Sequence, residues 1–218
     1  MNPGFENWNN FWEKSSGVAT ASSWSKRRIM AILSRHLEPG SKVIDAGCGS
    51  GFFSQFFAEN GAEVLALDYS EKALELCQTR CQKKVKTVKF DLLQQSISGS
   101  FGNDFDLIFS DGLLEHFSFD QQKSILKNFS SALNHDGLLI TFVPNLFSPW
   151  QVLRPFLMPG IEEKPFTLKK LIRLNELVQM RVCEANGINV IPAGFSPDRV
   201  FGKWFGMLLY TISMANRQ

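Results

Sequence analysis

Val43-Ile44-Asp45-Ala46-Gly47-Cys48-Gly49-Ser50-Gly51 is a short apolar run that ends in a carboxylate and opens into three glycines. The β-branched Val43 and Ile44 suit a strand buried on both faces. Glycine at 47, 49 and 51 lets the backbone bend sharply and lets a ligand approach it without meeting a Cβ. The stretch predicts the first strand of an α/β sheet and the turn into the helix behind it. Taken alone, three glycines serve turn geometry as well as they serve a ligand. The flanking sequence decides between the two.

Downstream, residues 52–60 have helical spacing, with Phe53, Phe56 and Phe57 on one face and Gly61 as a stop. Residues 62–68 read as a second strand ending in Asp68, followed by Tyr69-Ser70 and a helix over 71–81. Residues 85–91 alternate as a third strand ending in Asp91, and 94–103 read as a loop. A fourth strand over 105–110 leads into Asp111-Gly112-Leu113-Leu114-Glu115-His116-Phe117. Asp120 is expected to cap a helix reaching 133, with a turn at 134–137 and a fifth strand over 138–143. The aromatic and proline-rich segment 146–166 is longer than a plain connector, which favours a lid or binding role. Thr167 is expected to cap a helix running to 186 with Gly187 as its stop. A sixth strand is expected over 188–195, with Pro192 at an edge or bulge, then a short helix and a last strand at 210–215.

Upstream, Ile29, Ile32, Leu33 and Leu37 predict a helix over 24–37, stopped by Glu38-Pro39-Gly40. Before it stand a small-residue stretch, 15–23, and an aromatic cluster of Trp8, Phe11 and Trp12. That cluster reads either as a cover for the edge of the core or as a lid over a ligand site. Strands alternating with helices at this spacing predict a doubly wound, mostly parallel α/β sheet with right-handed crossovers and its ligand at the carboxyl ends of the strands.

The bulk numbers agree with one globular domain: 218 residues, 44% apolar and 20% charged, with phenylalanine over-represented at 20. Lys and Arg total 23 against 21 Asp and Glu, so no basic face argues for nucleic acid. No basic region with a following apolar core opens the chain, so a cytoplasmic location is expected. Cys48, Cys77, Cys81 and Cys183 form neither a disulfide framework nor a zinc set and read as free thiols; no metal site is expected. The apolar run 204–214 is shorter than the roughly 20 residues of a membrane-spanning helix. Peripheral membrane contact stays open, and the oligomeric state is not legible.

The carboxylates give the site its chemistry. Asp68, about 17 residues beyond the last glycine, stands where nucleoside-binding sheets place an acceptor for ribose hydroxyls, although a helix N-cap role also fits. Asp91 suits either an adenine amine or a turn. Asp45 suits a cationic ligand group or the turn's own amides. A dinucleotide turn of the Gly-x-Gly-x-x-Gly type would need its third glycine where Phe52 stands, and no Gly-Lys-Ser/Thr phosphate loop follows. What remains is a nucleoside ligand without phosphates.

Five segments in order, Val-Ile-Asp-Ala-Gly-Cys-Gly-Ser-Gly at 43–51, Leu-Asp-Tyr-Ser at 67–70, Phe-Asp-Leu at 90–92, Gly-Leu-Leu-Glu-His-Phe at 112–117 and Gly-Leu-Leu-Ile-Thr-Phe-Val-Pro-Asn at 137–145, resemble the class I S-adenosylmethionine-dependent methyltransferases. Within that class the likeness is to the small-molecule "type 11" group, which includes ubiquinone-biosynthesis enzymes. The resemblance implies a Rossmann-like, seven-stranded sheet with the last strand antiparallel, and S-adenosyl-L-methionine as cofactor. It covers about residues 29–195, and the chain as a whole is expected to divide into a lid segment, 1–28, and a methyltransferase domain, 29–218, with 144–166 as a substrate-side insertion. The resemblance places Gly47 and Gly49 along the methionine moiety, Asp68 on the ribose, Asp91 and Leu92 at the adenine, and Ser110, Asp111, Gly112 and Leu113 at the sulfonium. Asp45, Cys48, Gly51 and Tyr69 complete the expected cofactor-binding set.

Methyl transfer demands alignment and exclusion of water more than acid–base machinery. His116 is the candidate general base and Glu115 its orienting partner, while a purely structural role for the pair stays open. Phe142, Phe147, Trp150, Phe156 and Phe166 are expected to meet Trp8, Phe11 and Trp12 around an apolar pocket for a small hydrophobic or aromatic acceptor, methylated on oxygen, nitrogen or carbon. A quinone, lipid or natural-product intermediate at a membrane surface is a competing acceptor. Two other classes remain: a non-catalytic binder of S-adenosylmethionine or S-adenosylhomocysteine, and an NAD-dependent oxidoreductase.

Overall fold

The computed structural model describes residues 12–13, 23–152 and 163–215. Its elements are α1 (Trp24–Leu33), β1 (Lys42–Ala46), α2 (Phe52–Glu59), β2 (Glu63–Asp68), α3 (Glu71–Arg80), β3 (Lys86–Lys89), α4 (Ile97–Phe101), β4 (Phe105–Asp111), α5 (Phe119–Ala132), β5 (Leu133–Pro144), α6 (Leu168–Leu177), β6 (Met180–Ile188), α7 (Asp198–Phe205) and β7 (Leu208–Ala215). The strands form one sheet in the order β3-β2-β1-β4-β5-β7-β6. The first five in that order are parallel, and β7 runs antiparallel to both β5 and β6.

Period-two alternation along β1 divides the core between the two faces of the sheet. Val43 joins α1, α2 and α3 through Ile29, Leu33, Phe57 and Leu74, whereas Ile44 joins α5 and α6 through Ile125, Phe129 and Leu171. Helices thus cover both faces, as a parallel sheet requires. The abundance of phenylalanine has a structural use here. Phe53 and Phe57 pack on Phe109 at centroid distances of 4.8 and 5.6 Å, and Phe109 contacts Phe142, which stacks on Tyr210 at 5.2 Å. This aromatic row crosses the sheet beneath the glycine turn.

Several boundaries differ from the sequence reading. Helix α1 ends at Leu33, four residues short of Leu37. The N-cap of α5 is Ser118, which forms a reciprocal capping box with Gln121, so Asp120 lies in the first turn and is not the cap. Residues 134–137 are not a turn: β5 starts at Leu133, and an irregularity in its pairing with β4 takes up the polar residues before Leu138. Segment 94–103 contains the short α4, capped by Ser96. The expected helix to 186 stops at Leu177, because Gln179 takes a left-handed φ of 60° and the chain then extends as β6. The expected strand over 188–195 therefore lies mostly outside the sheet, and Gly187 is a strand residue, not a helix stop. The last strand begins at Leu208, two residues ahead of the expected start. No helix among the described residues is long and apolar enough to cross a membrane.

Candidate functional site

The turn after β1 is built from the residues that open the sequence argument. Gly47, Gly49 and Gly51 all take positive φ, 74°, 50° and 77°. The amides of Gly47 and Cys48 both donate to the carbonyl of Leu67, at 2.8 and 3.0 Å, which ties the turn to the end of β2. The three glycines differ in what crowds them. A Cβ on Gly49 would meet the Trp12 indole at 2.6 Å, one on Gly47 would meet Leu113 Cδ1 at 3.0 Å, and one on Gly51 would meet Cys77 Sγ at 2.5 Å. Gly49 and Gly47 thus keep space at the front of the turn, and Gly51 lets α3 pack behind it.

Asp68 Oδ2 accepts from the Gly49 amide and Oδ1 from the Ser70 amide, each at 2.9 Å. The N-cap of α3 is Ser70, whose Oγ accepts from Ala73, so Asp68 is not the helix cap. Asp45, wholly buried, accepts from Ser54 Oγ at 2.6 Å. Asp91 Oδ1 accepts from the Leu93 amide at 2.9 Å, closing a turn within its own loop.

A cavity of about 260 Å³ opens in front of this turn at the carboxyl ends of β1, β2 and β4. Its lining includes Asp45, Gly47, Cys48, Gly49, Asp68, Tyr69, Asp91, Leu92, Asp111, Gly112 and His116. Three of the residues expected at the site do not line it. Gly51 faces Cys77, Ser110 is fully buried with its Oγ on Thr141 at 3.4 Å, and Glu115 lies buried behind His116. The lining also contains Lys26, Phe53 and Phe109, which no local motif marks, together with Phe90 and Phe117, which close the motif segments around Asp91 and His116.

The electrostatics of the cavity are those of buried acids. Burial pushes Asp45 up to about 7, against the Ser54 hydrogen bond that favours its charge. Burial likewise pushes Asp111 up to about 7, opposed by Lys26. Asp68 is raised by burial and held back by backbone amide donors from Ser70, Gly49 and Tyr69. Lys26 is itself lowered, chiefly by burial and then by Arg80, and lies over the Phe52 ring at 4.1 Å. A cavity with three desolvated carboxylates favours a cationic ligand and disfavours a phosphate.

His116 ends a 3₁₀ turn, Leu114–His116, held by Gln122 Nε2, which donates to the carbonyls of Leu114 and Phe117 at 2.8 and 3.0 Å. The segment after β5 returns to this turn, where the Lys164 amide donates to the Glu115 carbonyl at 2.9 Å. One ligand atom from each of Glu115, His116 and Glu163 lies within 4.8 Å of the others, a spacing open to a metal ion. The expected acceptor wall is only partly assembled. Phe142 and Phe166 are fully buried in the core, Phe142 because it stacks on Tyr210, and Phe147 is 61% exposed. Trp12 does reach the glycine turn, whereas Trp8, Phe11 and Phe156 lie outside the described residues. All four cysteines are free, and Cys77 Sγ lies 4.0 Å from Cys81 Sγ.

Comparison with known proteins agrees with this fold. A family model described as a methyltransferase domain matches residues 43–137. The ubiquinone biosynthesis O-methyltransferase of Thiobacillus denitrificans is 28% identical over 107 residues, 49% of this chain and 46% of that protein. The chain thus spans about half the length of the curated relatives it matches. The N-methyltransferase NodS of Bradyrhizobium japonicum, solved with S-adenosylhomocysteine, superposes with a TM-score of 0.69 at 16% identity, covering 97% of this chain and all of that one. The 1,6-didemethyltoxoflavin-N1-methyltransferase of Burkholderia thailandensis superposes with a TM-score of 0.68 at 19% identity over 98% of this chain and 87% of its own. At those identities the structural likeness speaks for the fold. Residues 43–137 thus match a methyltransferase domain, and the seven-stranded sheet that carries them is a fold this chain shares with solved S-adenosylmethionine-dependent methyltransferases.

Proposed function

We propose that the protein transfers a methyl group from S-adenosylmethionine to a small apolar or aromatic acceptor. The observation that carries this reading is the pairing of bare glycine backbone with three carboxylates around one cavity, Asp45 buried and Asp68 and Asp111 partly buried. A ligand with a sulfonium and an ammonium group, and no phosphate, complements that charge.

In this reading Gly47, Cys48 and Gly49 pass along the methionine portion, with Gly51 fixing the turn and Asp45 supporting it from below. Asp68 and Tyr69 receive the ribose, and Asp91 and Leu92 the adenine. Asp111 and Gly112, with Ser110 behind them, bound the sulfonium end. When bound, the cofactor supplies an electrophilic methyl group for in-line displacement, with the S–CH₃ bond breaking as the acceptor–CH₃ bond forms. The protein aligns the acceptor and excludes water, with Phe53, Phe109, Leu113 and Phe117 as the apolar side of the cavity. His116, at the cavity wall, takes the acceptor's proton, and Glu115 orients the ring. Trp12 closes over the glycine turn from the segment before α1, so 1–28 acts as the lid of the domain formed by 29–218.

The test is an acceptor panel of phenols, catechols, hydroxyquinones and amines, read by release of S-adenosylhomocysteine. Turnover on an aromatic acceptor is the expected result. Tight S-adenosylhomocysteine binding with no release across the panel would favour a non-catalytic binder.

A further inference from the structure

Helix α7 is packed in an unusual sense. Its buried residue is Gly202, where a Cβ would lie 2.0 Å from the Gly187 carbonyl of β6, so the helix touches the sheet with its backbone. Its large apolar side chains point the other way: Val200, Phe201, Trp204 and Phe205 are 59%, 45%, 49% and 49% exposed. Phe195, in the preceding loop, is 79% exposed. Asn145 Nδ2 donates to the Trp204 and Gly206 carbonyls at 3.0 and 2.9 Å, which ties the segment carrying Phe147, 61% exposed, to the end of α7. Isolated exposed apolar residues are ordinary, but six large ones gathered at a single helix need a partner.

Charge and position say what kind. The sole acid of α7, Asp198, is turned inward, paired with Arg28 at 3.2 Å and accepting from the Val190 amide. The charges left facing outward, Arg199 and Lys203, are both positive and exposed, and Lys203 lies over the Trp204 ring at 4.1 Å. A short helix with Trp and Phe on its open face and only basic residues beside them matches the interfacial layer of an anionic bilayer, where the rings lie at headgroup depth and the lysine stem reaches outward. Position agrees: β7 begins at Leu208, paired with Pro144 at the end of β5 and with Ile188 at the end of β6. Helix α7 therefore stands at the carboxyl edge of the parallel strands, the edge onto which the cavity opens.

We propose that the outward face of α7, with Phe195 and Phe147, is a peripheral docking surface for an anionic lipid bilayer, and that it brings the mouth of the cavity to the membrane. Docking itself does not depend on the methyl-transfer reading; an acceptor drawn from the lipid phase does.

The full chain is sedimented with phosphatidylcholine vesicles with and without phosphatidylglycerol. The expected result is partition onto the anionic vesicles, accompanied by a blue shift of tryptophan fluorescence and weakened by salt. The triple variant Phe201→Ser, Trp204→Ser, Phe205→Ser is expected to lose that partition about tenfold or more, and Arg199→Glu with Lys203→Glu by a similar factor. S-adenosylhomocysteine binding, followed in the same variants, is expected to stay at the wild-type value and reports on the cofactor site separately. Equal partition of wild type and triple variant, or no preference for anionic vesicles, overturns the proposal. So does a vesicle-free dimer that the triple variant converts to a monomer, since a second copy would then cover the face.

Discussion

Burial lifts Asp111 to about 7 against the charge of Lys26, which favours the ionised form. A carboxyl raised in the folded state contributes stability that is fully present below its unfolded value, near 3.8, and is lost as pH rises through about 7. Asp111→Asn should therefore raise Tm at pH 8 relative to wild type and have a smaller effect near pH 5, measured by differential scanning calorimetry. The same ionisation should help a cationic cofactor, so its affinity should increase between pH 6 and 8, with protons released on binding. Gly49 is the second sensitive residue. Valine there meets both the positive φ of 50° and the Trp12 ring, and cofactor affinity should fall by about 100-fold or more while the far-ultraviolet spectrum stays unchanged. His116→Ala should lower kcat by about 10²–10⁴ with the cofactor dissociation constant unchanged, if the ring takes a proton in the rate-limiting step; near wild-type turnover would assign the ring to structure. The glycines and the strand-end aspartates were legible because each combines a special residue type with a fixed offset from a strand. Lys26 and Phe109 were not, since their place at the cavity comes from packing between elements remote in sequence.

At the scale of elements, β1 to α3 follow their local pattern closely: apolar β-branched runs, a phenylalanine face on α2, and a Ser70 cap on α3. The region after Leu177 does not. Leu168–Leu177 is strongly amphipathic, and Met180–Ile188 carries Glu184, Ala185 and Asn186, which suit a helix as well as a strand. The left-handed Gln179 and the pairing with β7 settle it, and both are tertiary in origin. The same pairing explains Gly187 and Gly202, which approach backbone to backbone. Gly202→Val should cost about 1–3 kcal/mol or more, because a carbonyl 2.0 Å from the new Cβ cannot be avoided by a rotamer change; urea titration against wild type checks it.

For the whole molecule, the alternation of strands and helices was enough to predict a doubly wound sheet, and the seven-stranded order follows from adding the β6–β7 hairpin at one edge. The acceptor side was far less readable. Phe142 and Phe166 share their chemistry with a pocket wall, but the sheet draws them into its core, and an aromatic residue carries no mark in sequence that separates the two fates. In the proposed function, one cavity at the carboxyl edge holds S-adenosylmethionine through its glycine turn and Asp68. Isothermal titration with S-adenosylmethionine, S-adenosylhomocysteine and NADH, on wild type and on Asp68→Ala, tests it most directly. Binding of the first two ligands and not the third is expected, with affinity reduced by about 100-fold in the variant through loss of charge-assisted hydrogen bonds. Binding of NADH in their place, or unchanged S-adenosylmethionine affinity in Asp68→Ala, would contradict it.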